Sequence, residues 1–338
     1  MDSFAATPTP SSQSPSPQLT DSSPGGLLAP DTPLFTAARQ ARLRWPARGR
    51  AWYPLAVLAA GLLIPFIGQI LGGIIGSLLL MPFMENPLDF LFGGGSTAGF
   101  VSLLLIGFLP MYPLVWLWLR LFERRKFVTV GFWSHGAAAK YARGLLIGLL
   151  MFSMGVLIMY LMGDVEVSAV DWQAATVTGV LFVFIGWIVQ GAAEEVLARG
   201  FLLPIVGAHW TPLIGVILSS SIFGLLHLFN DNLQWLAMLN LILFGVFAAF
   251  YALWEEGLWG ICAIHSVWNW AQGNVFGFPV SGNAESSAIL WKMAETGPDL
   301  LTGGAFGPEG GLIVSLVLIA ACIGVWIAAR RKPQRNPS

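Results

Sequence analysis

The chain has few charged residues. Lys, Arg, Asp and Glu together make up 10% of its 338 residues, whereas an ordinary soluble domain carries roughly a quarter. Hydrophobic residues make up 56%, and the mean hydropathy is +0.71. This composition excludes a soluble globular enzyme and predicts an all-α, polytopic membrane helix bundle. The formal net charge of −1 also excludes a nucleic-acid-binding protein, because such proteins need a basic surface.

Cysteine is equally scarce. The chain has two, Cys262 and Cys322, and both lie inside apolar runs. No disulfide framework is therefore expected.

The first fifty residues differ from the rest in composition. Pro, Ser, Thr and Gly crowd residues 7–33 and cannot bury a core, and we see no secretory signal peptide after Met1. We predict a disordered tail over residues 1–50 that ends in a basic cytoplasmic run. A single membrane-embedded domain is predicted over residues 51–331, followed by a short basic cytoplasmic tail over residues 332–338.

Apolar stretches follow one another along the remainder of the chain. A membrane-spanning helix needs about 20 residues, and the sequence predicts about eight spans, of which the seventh is short for a full crossing. They are residues 52–81, 99–122, 142–162, 174–199, 211–228, 234–254, 258–272 and 311–329.

The distribution of cations predicts the orientation. Eight crossings place both termini on the same side of the membrane. Fifteen of the seventeen Lys and Arg residues lie in the segments that this topology assigns to that side. The positive-inside rule therefore predicts a multi-pass protein of the cell membrane with both termini in the cytoplasm. Of the other two cations, Lys292 lies in a predicted external loop, whereas Arg199 lies in the most apolar part of the chain.

Arg199 follows two adjacent carboxylates. Charged groups inside a membrane helix cost roughly 2.5–3.5 kcal/mol each and are usually functional. On a helix, Glu195 and Arg199 are four residues apart in the order that favours an ion pair. Glu194 is turned about 100° away, is less well neutralised and could act as a general base. For these three residues alone, an interfacial charge cluster ending a helix is an equal alternative.

Two of the four histidines lie in separate apolar helices. Phe223 and His227 are four residues apart, and so are His265 and Asn269, which places each pair on one helix face. Either histidine alone is more often a bundle residue bonded to a neighbouring carbonyl. Their combination with two carboxylates favours a functional site.

Serine-nucleophile chemistry fits the sequence less well. Ser219, Ser220 and Ser221 lie near His227, but small hydroxyl residues are common where membrane helices touch. The sequence contains neither a Gly-x-Ser-x-Gly elbow nor a His-Glu-x-x-His zinc motif.

The motifs Glu-Glu-x-x-x-Arg, Phe-x-x-x-His and His-x-x-x-Asn occur in this order on successive apolar helices. They span Glu194–Arg199, Phe223–His227 and His265–Asn269. In this respect the chain resembles the CPBP family of intramembrane proteases, which includes the CAAX prenyl endopeptidases and the bacterial Abi proteins. The resemblance covers roughly residues 120–275 and is specific within residues 187–270.

The resemblance implies an intramembrane endopeptidase. Glu194 would activate the attacking water together with His227, while His265 and Asn269 would stabilise the oxyanion. These residue types suit amide hydrolysis, which needs a base for water and donors for the negative oxygen.

The resemblance also implies that Glu195 and Arg199 orient the site. It leaves open a zinc-dependent endopeptidase in which Glu194, His227 and His265 are the ligands and water takes the fourth position. We favour the glutamic mechanism without a cofactor, because no third histidine and no cysteine ligand lies nearby. In addition, Asn269 is better explained as a donor to the oxyanion.

The expected partners are the lipid bilayer and a peptide or protein substrate, which could be prenylated or membrane-bound. Since Arg199 ends the predicted fourth span on its inner side, we expect cleavage in the cytoplasmic half of the bilayer. The rival from another class is a non-catalytic transporter or scaffold, since intramembrane charges also mark transport pathways. Against it, the polar residues gather at one site and do not line a route.

Overall fold

The structure is a computed structural model that describes residues 26–42, 47–80, 96–283 and 288–332. Within these residues the chain forms twelve α-helices and one antiparallel pair of strands, which confirms the predicted all-α membrane bundle. The helices are α1 (Pro33–Arg42), α2 (Ala47–Leu80), α3 (Thr97–Phe108), α4 (Met111–Trp118), α5 (Ala137–Met162), α6 (Ala174–Glu195), α7 (Leu203–His209), α8 (Pro212–Leu225), α9 (Trp235–Glu255), α10 (Trp259–Trp270), α11 (Asp299–Thr302) and α12 (Leu312–Arg331). The strands are β1 (Val165–Val170) and β2 (Trp291–Glu295).

In the described part of the chain, six helical segments are long and apolar enough to cross a membrane. They are Trp52–Leu79, Thr97–Glu123, Ala137–Met162, Ala174–His209, Trp235–Glu255 and Leu312–Arg331. The predicted fifth and seventh spans are the shorter helices α8, with 14 residues, and α10, with 12. A π-helical turn over Ala271–Val275 lengthens α10.

The fourth span is longer than predicted. Helix α6 continues through the π-helical segment Val196–Leu202 into α7, so ten helical residues follow Arg199. Arg199 therefore does not mark the inner end of this span, which removes the reason for placing cleavage in the cytoplasmic half. The helix can continue because Glu195 neutralises the arginine inside the bundle and because the residues that follow are apolar.

Part of the predicted disordered tail is helical. Residues 33–42 form α1, which packs against α7, and its Leu34 and Phe35 are completely buried. Buried residues recur along α1 with helical spacing, so one face of this short helix adds to the core. Residues 1–25, which hold most of the predicted tail, lie outside the described residues, as do residues 333–338.

Helix α10 packs closely against α5 and α6. A Cβ added at Gly144 of α5 would lie 2.2 Å from the carbonyl oxygen of Gly260, and one at Gly191 of α6 would lie 2.9 Å from the Ser266 nitrogen. Small residues of this kind let membrane helices approach each other. They bring the motifs of α6 and α10 into contact.

The bundle has a basic end, defined by Lys140, Arg143 and Lys332. Arg143 forms a 2.6 Å ion pair with the buried carboxylate of Glu255, at the last residue of α9. Lys140 and Lys332 donate hydrogen bonds to backbone oxygens near the same helix end, those of Glu255 and Trp254. These contacts fix the C-terminal end of α9 at the basic end.

The opposite end, here called the loop end, is covered by the segment between α10 and α12. Asn240 of α9 donates hydrogen bonds to the backbone oxygens of Glu309, 2.8 Å away, and Gly311, 2.9 Å away. The Glu309 carboxylate accepts hydrogen bonds from the nitrogen and hydroxyl of Ser281, and Asn230 donates to the Ser281 oxygen. The segment is thus tied to the ends of α8 and α9.

Helix α6 also begins at the loop end. The Asp171 carboxylate accepts hydrogen bonds from the Thr176 hydroxyl and the Gln173 amide, and both lower the pKa of that carboxyl. A carboxylate beside a helix N-terminus also interacts favourably with the helix dipole.

Candidate active site

The predicted ion pair of α6 is present and completely buried. Arg199 Nη1 lies 2.9 Å from Glu195 Oε1, and both side chains have no exposed surface. The second guanidinium nitrogen donates to the Gly245 carbonyl at 3.1 Å. The guanidinium carbon lies 4.5 Å from the centre of the Phe223 ring, which is cation–π distance. Arg199 therefore connects α6, α8 and α9 at the centre of the bundle.

The imidazole of His265 lies between the two adjacent glutamates. Its Nδ1 is 2.8 Å from Glu195 Oε1, and its Nε2 is 3.6 Å from Glu194 Oε2. The ring meets Phe244 edge-on, with the ring centres 5.0 Å apart. The two glutamates thus face different nitrogens of one histidine.

The two glutamates differ in their surroundings. Oε1 of Glu195 contacts both Arg199 and His265, and the Glu195 side chain has no exposed surface. Glu194 keeps 15% of its side chain exposed and lines a cavity. Within the described residues, Glu194 Oε2 and the second oxygen of Glu195 are buried without a hydrogen-bond partner. Of the two carboxylates, only Glu194 is in a position to meet a molecule in the cavity.

His227 lies just beyond the end of α8 and lines the same cavity. Its Nδ1 lies 2.8 Å from the carbonyl oxygen of Phe223. Since a carbonyl only accepts, Nδ1 carries the hydrogen, and in the neutral ring Nε2 is the acceptor. The backbone contact therefore fixes which nitrogen of His227 can take a proton.

Asn269 is held by a residue that the sequence motifs did not identify. Its side-chain amide donates a 2.9 Å hydrogen bond to Gln190 Oε1, and both residues are buried. Gln190 lies one helical turn before Glu194 in an otherwise apolar stretch of α6, and that spacing was the signal that could have found it. It fixes the amide of Asn269 at the cavity wall.

Two π-helical segments flank these residues. One begins at Val196, directly after Glu195, and the other at Ala271, two residues after Asn269. Single π-helical turns inside α-helices are frequent at functional sites because they change the direction of side chains.

The motif residues lie at a cavity of about 430 Å³. Glu194, His227, His265 and Asn269 line it, while Glu195 and Arg199 lie behind the wall. The structure therefore brings all six predicted residues together. Further polar wall residues that the sequence motifs did not identify are Gln69, Gln190, Asn230, Asn240, Ser281, Asn283 and Glu309.

In the zinc alternative, the metal ligands are Glu194, His227 and His265. Carboxylate and imidazole groups are both types of side chain that bind zinc. Among the described residues, however, no group of three or more His, Cys, Asp or Glu side chains is arranged to hold a metal ion. These three side chains therefore do not form a three-ligand site, and zinc dependence stays the alternative that metal analysis tests.

Comparison with known proteins gives one family. Residues 175–271 match the family model described as Type II CAAX prenyl endopeptidase Rce1-like. This range contains all three motifs. Seven helical elements run from α6 to the π-helical turn after α10, and five of them lie completely within the range. No curated protein and no solved structure matches the chain. Over residues 175–271, the chain is therefore similar to the Rce1-like family of CAAX prenyl endopeptidases, which supports the resemblance that the three motifs indicate.

Proposed function

We propose that the protein is an intramembrane endopeptidase in which Glu194 activates the water that attacks a peptide bond. The observation that carries the proposal is the buried Oε2 of Glu194, which has no hydrogen-bond partner among the described residues and lies 3.6 Å from His265 Nε2, beside a cavity that His227, His265 and Asn269 also line. The family match favours a protease over the transporter or scaffold alternative.

Water activation needs an acceptor for a proton. The Glu194 carboxylate provides one at the cavity wall. Because Nδ1 of His227 is bonded to the backbone, its Nε2 provides a second acceptor. A water bound between the two could give up a proton as its oxygen attacks the substrate carbonyl. General base catalysis of this kind contributes roughly 10²–10⁴-fold in rate.

Donors for the developing oxyanion come from α10. An asparagine amide has two N–H groups, so the hydrogen bond from Asn269 to Gln190 leaves the other N–H for substrate. When His265 is protonated, Nδ1–H donates to Glu195 and Nε2–H remains a second donor. The charges of Glu194, Glu195, Arg199 and a protonated His265 then sum to zero.

The proposal is tested by Glu194→Gln in the purified protein, with a library of internally quenched peptides in detergent micelles. The amide keeps the size of the side chain but is a much poorer proton acceptor, so we expect hydrolysis to fall by about 100-fold or more. The matched control is Glu256→Gln at the basic end, where Glu256 pairs with Lys332 and is far from the cavity wall. Full activity in Glu194→Gln would refute the assignment.

The glutamic mechanism and the zinc alternative are separated by metal analysis. We expect purified, active protein to contain no stoichiometric zinc and to keep its activity with a chelator. Stoichiometric zinc, with activity lost on chelation and restored by zinc, would support the metal-dependent alternative on the same residues.

A further inference from the structure

A second cavity lies at the basic end, between α5, α9 and α12. Its volume is about 470 Å³, and it shares none of its described wall residues with the cavity of Glu194. Three of its wall residues are cations, Arg143, Arg331 and Lys332, and they define what we call the basic groove. Arg143 belongs to α5, whereas Arg331 and Lys332 lie at the end of α12. The basic groove is therefore separate from the proposed active site, and its ligand follows from its own wall.

One face of α12 forms a side of the basic groove. Four wall residues recur along this helix at spacings of three and four, which places them on one face. They are Gly324, Ile327, Ala328 and Arg331. A Cβ added at Gly324 would meet nothing within 4 Å, so this part of the groove is open. Along α12 the wall thus changes from apolar to cationic toward the basic end.

The carboxylates at the basic groove are already bound by the protein. The Glu255 side chain has no exposed surface, and its Oε1 lies 2.6 Å from Arg143 Nη2. Its Oε2 accepts a 2.7 Å hydrogen bond from the Gly260 amide. Glu256 pairs with Lys332 at 3.1 Å. Because the described groove has three cations against these two carboxylates, it keeps a net positive charge.

The helix ends at the basic groove are neutralised as well. A helix C-terminus carries a partial negative charge, which repels an anion. At the end of α9, Lys332 donates to the Trp254 carbonyl at 3.0 Å, and Lys140 donates to the Glu255 carbonyl at 3.3 Å. The last turn of α12 is itself basic. The groove is therefore electrostatically suited to an anion.

Two arginines keep donors for such a ligand. Arg331 is exposed and makes no hydrogen bond or ion pair with the part of the chain that the structure describes. Arg143 uses Nε for the Tyr251 hydroxyl and Nη2 for Glu255, which leaves Nη1, and 43% of its side chain is exposed. The planar N–H groups of arginine match the oxygens of a phosphate. Donors for a phosphate thus come from both α5 and α12.

Aromatic residues indicate that the basic groove lies at the membrane surface. Trp254 lines the groove, and its ring centre is 4.8 Å from the guanidinium carbon of Arg143. The ring of Trp326 on α12 lies 5.5 Å from the guanidinium carbon of Arg330. Tryptophan is enriched where the hydrocarbon core meets the lipid headgroups. A ligand in the groove therefore meets cations at one end and apolar residues such as the exposed Ile327 at the other.

We propose that the basic groove binds the phosphate of an anionic phospholipid, with Arg143 and Arg331 as donors and an acyl chain along the apolar face of α12. Basic pockets between membrane helices on the cytoplasmic side bind such headgroups, and the positive-inside rule predicts that this end faces the cytoplasm. The inference does not depend on the proposed endopeptidase function, because the groove and the cavity of Glu194 are lined by different residues.

Binding is tested by native mass spectrometry of the purified, delipidated full chain, with phosphatidylglycerol and with phosphatidylcholine of the same acyl chains. We expect a preference for phosphatidylglycerol, and we expect Arg331→Gln to lower that affinity by about fivefold or more, the usual contribution of one cation at an anionic membrane surface. The matched control is Arg330→Gln, which removes the same charge one residue away from a side chain that contacts Trp326 and does not line the groove. Equal binding of the two lipids, or equal losses in the two variants, would overturn the inference.

A further variant separates a lipid from free phosphate. Gly324→Leu adds a side chain where a Cβ meets nothing within 4 Å, so it fills the apolar end of the groove and leaves the cations in place. We expect the affinity for phosphatidylglycerol to fall by about tenfold or more, as contact with about two CH₂ groups is lost, with an unchanged unfolding temperature in the absence of lipid. Unchanged lipid binding in Gly324→Leu, with displacement of the lipid by inorganic phosphate, would show a site for a free anion and overturn the lipid assignment.

Discussion

Replacing Arg199 by methionine tests the charge arrangement beneath the cavity. The variant keeps a long apolar stem but removes the charge that lies 2.9 Å from Glu195 and 4.5 Å from the ring centre of Phe223. Because Glu195 would then be a buried carboxylate without its cation, we expect the free energy of unfolding to fall by about 3–5 kcal/mol.

A double-mutant cycle isolates the pair. Unit charges 2.9 Å apart interact by about 6 kcal/mol at an effective dielectric constant of about 20, and desolvation offsets part of this energy. We therefore expect Glu195→Gln with Arg199→Met to cost about 2 kcal/mol less than the sum of the two single changes. Chemical unfolding in mixed micelles measures all four corners of the cycle.

The result that would refute this reasoning is additivity. If the double variant loses the sum of the two single losses to within about 0.5 kcal/mol, the residues do not stabilise each other. Arg199 would then act only through its contacts with the Gly245 carbonyl and the Phe223 ring.

Two further changes test how the helices position the site. Gln190→Leu removes the acceptor of the Asn269 amide, so we expect kcat to fall by about 10–100-fold with little change in KM, as for a misplaced catalytic group; an unchanged kcat would mean that Asn269 needs no partner. Gly191→Ala brings a methyl group within 2.9 Å of the Ser266 nitrogen and hydroxyl, so it should separate α6 from α10 and lower activity by 10-fold or more. Gly324→Ala, where a Cβ meets nothing within 4 Å, is the matched control and should keep full activity; equal effects of the two alanines would contradict the packing argument.

The sequence predicts the bundle well because apolar length is a local property. The predicted eight apolar spans correspond to helices of the described bundle, including the short seventh, which became the 12-residue α10. The predicted end of the fourth span was wrong because Arg199 suggested a membrane boundary. Its charge is instead neutralised within the bundle by Glu195, a contact that depends on folding.

The N-terminal helix could not be predicted from composition alone. Proline and serine dominate residues 7–33, but Leu34 and Phe35 follow directly and are buried against α7. Whether such a short amphipathic segment folds depends on the surface that it meets, and that surface is set by residues about 170 positions later in the chain.

The candidate site, too, could be predicted from the sequence only in part. The motif spacing indicates which residues share a helix face, and the structure brings Glu194, His227 and His265 together on three helices or their ends. Gln190 also has a visible spacing signal. By contrast, Ser281 and Glu309 reach the cavity through a long loop with no motif, so only the tertiary structure reveals these polar wall residues.

The central claim is that Glu194 and His227 act on the same water. It is tested most directly by kcat/KM of Glu194→Gln, His227→Ala and the double variant, on a peptide that the wild-type protein cleaves. We predict that each single change lowers kcat/KM by about 100-fold or more, and that the double variant is within about 10-fold of the weaker single variant, because groups that act as a unit are not additive. Near wild-type activity in either single variant, or full multiplication of the two losses, would contradict the claim.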